Sequence, residues 1–165
     1  LNDYEIGQAR HEIDDLFWQD FCDYYIEIVK ERLYQPDKHG TEQRYSGQYA
    51  LYHSLLGILK LYAIYTPYVT DYIYQEFYRK YEKFTSIHQM TWSTNETQSI
   101  YIAFGEQVKE LISEVRRKKT EQQMSMKDEL PELIITCQKD YKEFYKSTEK
   151  DIKACTSARK IIYRS

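Results

Sequence analysis

Glycine and proline are scarce in this chain, at five and three of its 165 residues. Because both residues mark turns, their scarcity predicts long helices rather than many short strands. Cysteine is also rare: Cys22, Cys137 and Cys155 are far apart and form no C-x-x-C pair. An odd number of cysteines at such spacing argues against a disulfide framework and a zinc ribbon, and it predicts a reducing compartment.

Catalytic and metal-binding motifs are missing from the sequence. The four histidines are isolated, so no H-x-x-x-H or H-E-x-x-H pair places two ligands on one helix face. There is no G-x-S-x-G, no glycine-rich phosphate loop and no G-x-G-x-x-G. We therefore expect no catalytic, cofactor or metal site within this chain.

Long apolar runs and a positive charge excess are absent as well. No apolar segment approaches the roughly 20 residues that a membrane-spanning helix needs, and no signal peptide is recognisable. The formal net charge is −3, whereas free-standing RNA-binding domains are usually basic because phosphate contacts dominate their affinity. The charge permits a module that contacts RNA locally while another domain supplies most of the binding.

Tyrosine is the most unusual feature of the composition, with 18 copies. Its ring can be buried while its hydroxyl remains hydrated, so many of these side chains are expected on half-buried helix flanks. A second interpretation is that exposed tyrosines form platforms on which nucleic-acid bases stack. Both interpretations stay open, since different tyrosines can serve each role.

Apolar residues at helical spacing predict a mainly α fold, with a helical bundle at its centre. Apolar positions recur at steps of three and four residues, and Asn2 or Asp3 is placed to cap the first helix. Tyr45, Tyr49 and Tyr52 are predicted on the broad apolar face of the second helix. The predicted helices are 3–34, 43–65, about 67–82, and one from Thr94 or Asn95 to the basic run Arg116–Lys119.

After residue 127 the pattern changes to strand, helix and strand. Short apolar runs at Leu133–Cys137 and Lys160–Tyr163 flank a segment of helical period, Asp140–Thr156. Such a crossover is what a parallel strand pair requires. The predicted domains are therefore a helical bundle, 1–126, and a small α/β appendage, 127–165.

The segment Phe17–Lys30 is dense in aromatic and acidic residues. Trp18, beside Phe17 and Phe21, is predicted in the core, and the alternative is a platform on which bases stack. Like charges three or four residues apart on a helix repel by about 0.2–0.5 kcal/mol per pair. Either neighbouring cations offset this repulsion or a carboxylate accepts a hydrogen bond from the amino group of cytosine. Both interpretations apply to the acidic stripe, which consists of Asp20, Asp23, Glu27 and Glu31.

Three segments carry a resemblance to a known family. Phe17–Lys30 is similar to the pattern F-W-x-x-F-C-D-x-Y-I-E-x-x-K. Leu56–Gln75 is similar to L-L-K-L-L-H-P followed by P-F-x-T-E-E-L-Y-Q. Ser86–Trp92 is similar to S-I-x-x-x-x-W-P, with Ser93 in place of the final proline. The chain thus resembles the anticodon-binding domain of class I aminoacyl-tRNA synthetases, most closely the valyl-tRNA synthetase branch.

The resemblance implies that the chain recognises an anticodon stem-loop and catalyses no reaction itself. The longer protein would join valine to its tRNA with ATP and Mg²⁺ in the cytoplasm. The implied partners are the valine tRNA and a catalytic domain of the same polypeptide, with no membrane or DNA. The first residue is Leu1 rather than Met, so we expect a fragment whose preceding helices are missing. Charge and position select the candidate tRNA contacts: Lys30, Arg32, Arg44, Gln48, Tyr52, Arg116 and Arg117.

The sequence also allows a function of another class. An all-helical protein-interaction module without RNA binding would use its tyrosine-rich helix faces as docking surfaces. The run Arg116–Lys119 has two interpretations in the same way, a solvated helix end or a clamp for phosphates.

Overall fold

The computed structural model describes residues 5–92 and 99–164. Helices dominate these residues, and two short strands lie near the C-terminus. The predicted mainly α fold with a strand–helix–strand appendage is therefore confirmed. In chain order the elements are α1 (Ile6–Asp15), a π-helix (Leu16–Tyr25), α2 (Ile26–Tyr34), α3 (Pro36–His39), α4 (Thr41–Tyr62), α5 (Pro67–Phe77), a 3₁₀ turn (Ile87–Gln89), α6 (Ser99–Glu121), β1 (Leu130–Thr136), α7 (Lys139–Ser147), α8 (Glu149–Thr156) and β2 (Ala158–Arg164).

Proline and glycine set several of these helix boundaries. Pro36 and Pro67 begin α3 and α5, a position where the missing proline N–H is not needed for a helical hydrogen bond. Gly40 follows α3 with a φ of 90°, which favours glycine because it has no Cβ. The predicted cap at Asn2 or Asp3 and the predicted helix start at Thr94 or Asn95 lie outside the described residues.

The aromatic segment Leu16–Tyr25 is a π-helix rather than the predicted α-helix. The N–H of Ile26 accordingly donates to the carbonyl of Phe21, five residues earlier. Phe17, Phe21 and Tyr25 stack in sequence, with ring centroids 6.3 and 6.0 Å apart. Trp18 contacts the edge of Phe17 but is 62% exposed. The prediction that Trp18 belongs to the core is therefore wrong, because the buried side of this helix follows steps of four from Phe17.

The described residues divide into two compact units. The first unit contains residues 5–26 and 41–92, and the second contains residues 27–40 and 99–164. This division differs from the predicted boundary between residues 126 and 127. Within the second unit α6 packs against α8, and Arg32 of α2 forms an ion pair with Asp151 of α8. These interactions place α6 and residues 27–40 in the same unit as the appendage.

The core of the first unit forms between α4, α5 and the 3₁₀ turn. A polar contact holds the 3₁₀ turn against α5 beside this core. Asp71 accepts hydrogen bonds from Ser86 Oγ at 2.6 Å and from the Ile87 N–H at 3.0 Å. The hydrogen bond from Ser86, the largest influence, lowers the pKa of Asp71. The buried residues of this core are Leu56, Leu59, Tyr74, Tyr78 and Ile87.

The core of the second unit lies between α6, the two strands, α7 and α8. β1 and β2 are parallel, with Leu133 opposite Ile161, and α7 and α8 form the crossover between them. The predicted parallel pair is thus confirmed. The buried apolar residues include Phe104, Val108, Ile112, Val115, Leu133, Ile135, Tyr145, Ile152 and Ile161.

Candidate nucleic-acid interface

Three of the seven predicted tRNA contacts lie on α4 at steps of four residues. Arg44 and Gln48 are exposed, whereas Tyr52 is half-buried. The Tyr52 hydroxyl donates a 2.8 Å hydrogen bond to Oε1 of Glu82. Burial, and after it this hydrogen bond, raises the pKa of Tyr52. Because residues four apart share a helix face, the structure places Arg44 and Gln48 on one surface with Tyr52 at its inner edge.

Exposed aromatic side chains lie beside these residues on α4. Tyr45 and Tyr49 are 65% and 68% exposed, and the rings of Tyr49 and His53 lie 4.2 Å apart. Their predicted place on the apolar face of the second helix is wrong, since the first half of α4 buries only Gly47. Sequence reasoning missed them as site residues because tyrosine at helical spacing also fits a core face. We call Arg44, Gln48, Tyr45, Tyr49 and His53 the α4 edge.

A cavity of about 470 Å³ opens within the first unit. Its lining is mostly apolar and includes Phe21, Tyr25, His53 and Trp92. Lys60 Nζ lies 4.9 Å from the centroid of the Trp92 ring and donates to the carbonyl of Thr91 at 2.7 Å. Cations over aromatic rings are attracted by the ring quadrupole, so Lys60 fixes Trp92 at the wall of the cavity.

Cations accompany at least two acids of the acidic stripe. Glu27 pairs with Lys30 at 3.0 Å. Glu31 lies 3.0 Å from Lys38 Nζ and 2.9 Å from His39 Nε2, so for these two acids neighbouring cations offset the repulsion. Asp20 lines the cavity that contains Trp92. A carboxylate repels phosphate, and it is an acceptor for the amino groups of bases.

Arg32 is held inside the second unit rather than on its surface. Its Nε donates to Asp151 Oδ1 at 2.7 Å, and its Nη2 donates to Asp151 Oδ2. The two side chains are 19% and 4% exposed, and His39 Nδ1 lies 3.9 Å from the same carboxylate. Bidentate pairs of this kind are among the stronger hydrogen-bonded contacts. The predicted contact of Arg32 with tRNA therefore competes with an ion pair that anchors α2 to α8.

Lys30 and Arg116 line one groove of the second unit. The groove has a volume of about 700 Å³, and Tyr34 and Lys127 also line it. Tyr34 is strongly exposed, so the groove combines an aromatic ring with cations, and the acids Glu27 and Glu31 line it as well. The structure thus brings two predicted contacts, Lys30 and Arg116, to one place, although Lys30 is also paired with Glu27.

The basic run at the end of α6 has different environments along its length. Arg117 is exposed and lies 3.9 Å from Glu121, and Lys118 lies 4.0 Å from Glu114. Lys119 is only 2% exposed, and its Nζ donates to the carbonyls of Met126 and Asp128 at 2.9 and 2.6 Å. Burial lowers the pKa of Lys119. Lys119 therefore fits neither a solvated helix end nor a phosphate clamp, and it stabilises the turn that leads to β1.

The part of the chain that the structure describes offers no cluster of three or more His, Cys, Asp or Glu side chains arranged to bind a metal ion. Among the same residues, no helix combines the length and apolar character needed to cross a membrane.

Comparison of the amino-acid sequence with known proteins identifies a family. Residues 1–136 match the model of the anticodon-binding domain of tRNA ligase. The chain is 34% identical to a valine–tRNA ligase of Haloarcula marismortui over 135 residues, which cover 82% of this chain and 14% of that protein. It is 31% identical to one of Methanopyrus kandleri, covering 96% and 17%, and 30% identical to one of Wolbachia pipientis wMel, covering 98% and 18%.

The chain spans less than a fifth of the length of these three relatives, at 14, 17 and 18%. The alternative interpretation from the sequence, a protein-interaction module without RNA binding, receives no support from the matches. The family model covers α1 to α6 and the first strand, which include every predicted tRNA contact. The chain therefore belongs to the family of anticodon-binding domains of tRNA ligases.

Proposed function

We propose that this chain recognises the anticodon stem-loop of a valine tRNA as part of a longer valine–tRNA ligase. The observation that carries the proposal is the match of residues 1–136 to the anticodon-binding domain of tRNA ligases. In this proposal a catalytic domain of the same polypeptide binds ATP and Mg²⁺ and joins valine to the tRNA in the cytoplasm. The chain described here supplies recognition and no catalytic group.

The α4 edge has the chemistry of a single-stranded RNA contact. Arg44 carries a planar guanidinium that suits bidentate contact with a phosphate. Gln48, one turn further, offers an amide that both donates and accepts hydrogen bonds. The exposed ring of Tyr49 is a platform for an unstacked base, the usual target of sequence-specific RNA recognition. These three exposed side chains provide charge, hydrogen bonding and stacking along the first half of α4.

The aromatic cavity is suited to one base from the loop. Its volume of about 470 Å³ lies within the range of pockets for small ligands, about 300–1,000 Å³. Aromatic walls such as Trp92 and Tyr25 favour a flat ring, and the carboxylate of Asp20 favours a base with an exocyclic amino group. We infer that cytosine or adenine fits this cavity better than uracil, which lacks that group.

The second unit contributes contacts of another kind. Lys30 and Arg116 line a groove with Tyr34, and Arg117 is exposed on α6. Their charges suit phosphate, which contributes affinity without reading the sequence. We keep Lys30, Arg116 and Arg117 as proposed phosphate contacts, and we give Arg32 the structural role described above.

Stacking by the α4 edge is tested with the isolated anticodon stem-loop. Fluorescence anisotropy with a labelled valine stem-loop measures affinity for the wild type and for Tyr49→Ala. Loss of one base–aromatic stack costs about 1–3 kcal/mol, so we expect binding to weaken by about 5-fold to 150-fold. Tyr68→Ala removes a tyrosine of α5 that is even more exposed, and this variant should bind as the wild type does. Equal affinities of the two variants would contradict the assignment of Tyr49.

Base selection by the cavity is tested in the same assay with Asp20→Asn, which preserves the shape of the side chain. The wild type should prefer a loop that carries cytosine and adenine over a loop in which both are replaced by uracil. Asp20→Asn should reduce this preference, because the amide presents a donor as well as an acceptor to the base. A wild type that shows no preference would remove the cavity from the proposal, and no binding of either loop at low salt would refute the function.

Phosphate contact is tested by charge reversal. Arg44→Glu and Arg116→Glu should each weaken tRNA binding and reduce the dependence of log K on log salt by about one. Arg10→Glu reverses another exposed arginine and controls for net charge. Unchanged affinity and slope in both test variants would remove Arg44 and Arg116 as contacts.

A further inference from the structure

Five lysines form a ridge along α7 and α8 that the proposed function leaves unused. They recur at steps of three and four residues and so share one face of the helical segment. The opposite face carries the buried side chains of Tyr145 and Ile152, so the lysines point away from the core. The lysine ridge consists of Lys139, Lys142, Lys146, Lys150 and Lys153.

Two consecutive helices, which meet at Thr148, carry the lysine ridge. Thr148 lies between them with φ −102° and ψ 7°. Its N–H donates to the carbonyl of Phe144 at 3.1 Å, and the N–H of Ile152 donates to the carbonyl of Thr148 at 3.1 Å. The first bond ends α7 and the second begins α8. A continuous helix rises 1.5 Å per residue, so the ridge extends at most about 21 Å from its first lysine to its last.

The surface around the lysine ridge is positively charged although the chain is acidic. Residues 127–164 contain nine Lys or Arg and seven Asp or Glu, whereas the whole chain has a net charge of −3. One of the seven acids, Asp151, is buried against Arg32. Glu143 and Glu149 pair with Lys146 and Lys153 at 2.8 and 2.6 Å. Five lysines thus face two paired glutamates on this side of the appendage.

The ridge ends at a small hollow in the same unit. A cavity of about 310 Å³ is lined by Lys38, His39, Lys150 and Lys153 together with Glu31. Lys150 Nζ donates to the carbonyl of Lys38 at 2.9 Å, which holds the end of the ridge against α3. The ridge therefore ends beside α3, where Glu31 pairs with Lys38 and His39.

We infer that the lysine ridge is a second RNA-binding surface, which holds phosphates of the tRNA outside the anticodon stem-loop. The inference rests on the proposed function. A strand of nucleic acid presents several phosphates over such a length. Lysine ammonium groups are mobile point charges that suit phosphates in several positions, so the contact adds affinity and orientation without reading the sequence.

The test uses the full chain with Lys146→Glu and Lys150→Glu combined. Binding to whole valine tRNA and to the isolated anticodon stem-loop is measured by filter binding over a series of salt concentrations. The matched control combines Lys109→Glu with Lys160→Glu and makes the same change in net charge. Lys109 pairs with Glu106 three residues earlier, as Lys146 pairs with Glu143, and Lys160 pairs with Glu132. Circular dichroism confirms that both variants are folded.

For the ridge variant we expect the salt slope for whole tRNA to fall by about two, one for each lost phosphate contact. Its binding of the stem-loop should match that of the wild type, and the control should match the wild type for both RNAs. An unchanged slope, or an equal loss in the control, would overturn the inference. So would a ridge variant that loses binding to vesicles of anionic lipid but keeps its tRNA affinity.

The same data separate this inference from the proposed function. If the wild type binds neither whole tRNA nor the stem-loop, the proposed function fails and the inference fails with it. If the wild type binds the stem-loop, and the ridge variant binds whole tRNA as tightly as the wild type does, only the inference fails.

Discussion

Removing one partner of the ion pair between Arg32 and Asp151 should destabilise the second unit without removing an RNA contact. The pair is bidentate, and its side chains are 19% and 4% exposed. Loss of one partner of a buried pair costs about 3–5 kcal/mol, because the other charge is left buried without compensation. We expect about 3 kcal/mol for Arg32→Met, the lower end of this range, because the arginine retains some contact with water.

Urea unfolding followed by circular dichroism measures this loss. With a slope of about 1–3 kcal/mol per molar urea, the midpoint of Arg32→Met should fall by about 1–3 M. The double variant Arg32→Met with Asp151→Leu leaves neither charge buried, so it should be more stable than either single variant. A double-mutant cycle then gives a coupling energy in the range of about 0.5–3 kcal/mol.

The control and the functional readout separate structure from RNA contact. Glu129→Gln breaks an exposed pair with Arg159 and should leave the unfolding midpoint unchanged. At low temperature, where Arg32→Met remains folded, its tRNA affinity and salt slope should equal those of the wild type. A wild-type unfolding midpoint for Arg32→Met would refute the structural argument. A folded variant with a reduced salt slope would restore Arg32 as a contact.

Two further predictions concern the second unit. Burial alone raises the pKa of Glu31, but hydrogen bonds from His39 and Lys38 outweigh it and the net pKa lies below the ordinary value of 4.5. Stability from this group is therefore present above pH 4.5 and lost as the pH falls through the folded pKa. Between about pH 6 and pH 3, the urea midpoint should fall more steeply for the wild type than for Glu31→Gln. Parallel curves for the two proteins would contradict this prediction. Lys119→Met leaves two carbonyls without their donor and should lower the free energy of unfolding by about 1–3 kcal/mol. The control Lys118→Met, on the exposed side of the helix, should leave this free energy unchanged. Equal stabilities of the two variants in urea would refute the role of Lys119.

Local patterns were sufficient to predict the elements and their order. Apolar spacing identified the helices, and Pro36 and Pro67 marked two of their starts, because these signals act through neighbouring residues. The strand–helix–strand pattern at the end predicted the parallel pair of β1 and β2. The division into units could not be predicted in this way, since it depends on interactions between α2, α6 and α8 that lie far apart in the chain.

The candidate site was predicted only in part. Spacing placed Arg44, Gln48 and Tyr52 on one face of α4, but it gave no reason to choose Tyr49 over a core tyrosine. Charge alone selected Arg32 as readily as Arg44, although Arg32 pairs with an acid 119 residues away. Asp20 was recognised as part of an acidic stripe. Its position in a cavity with Trp92 could not be predicted, because the two residues lie far apart in the chain.

The helical class of this protein, the order of its elements and its family resemblance could all be derived from the sequence. All three depend on residues that are close together along the chain or on motifs that need no partner. Which aromatic and cationic side chains are exposed became clear only from the packing of the helices and strands. Trp18 is exposed and Lys119 is buried, because the covering of a helix face depends on the elements that pack against it and not on the spacing within the helix.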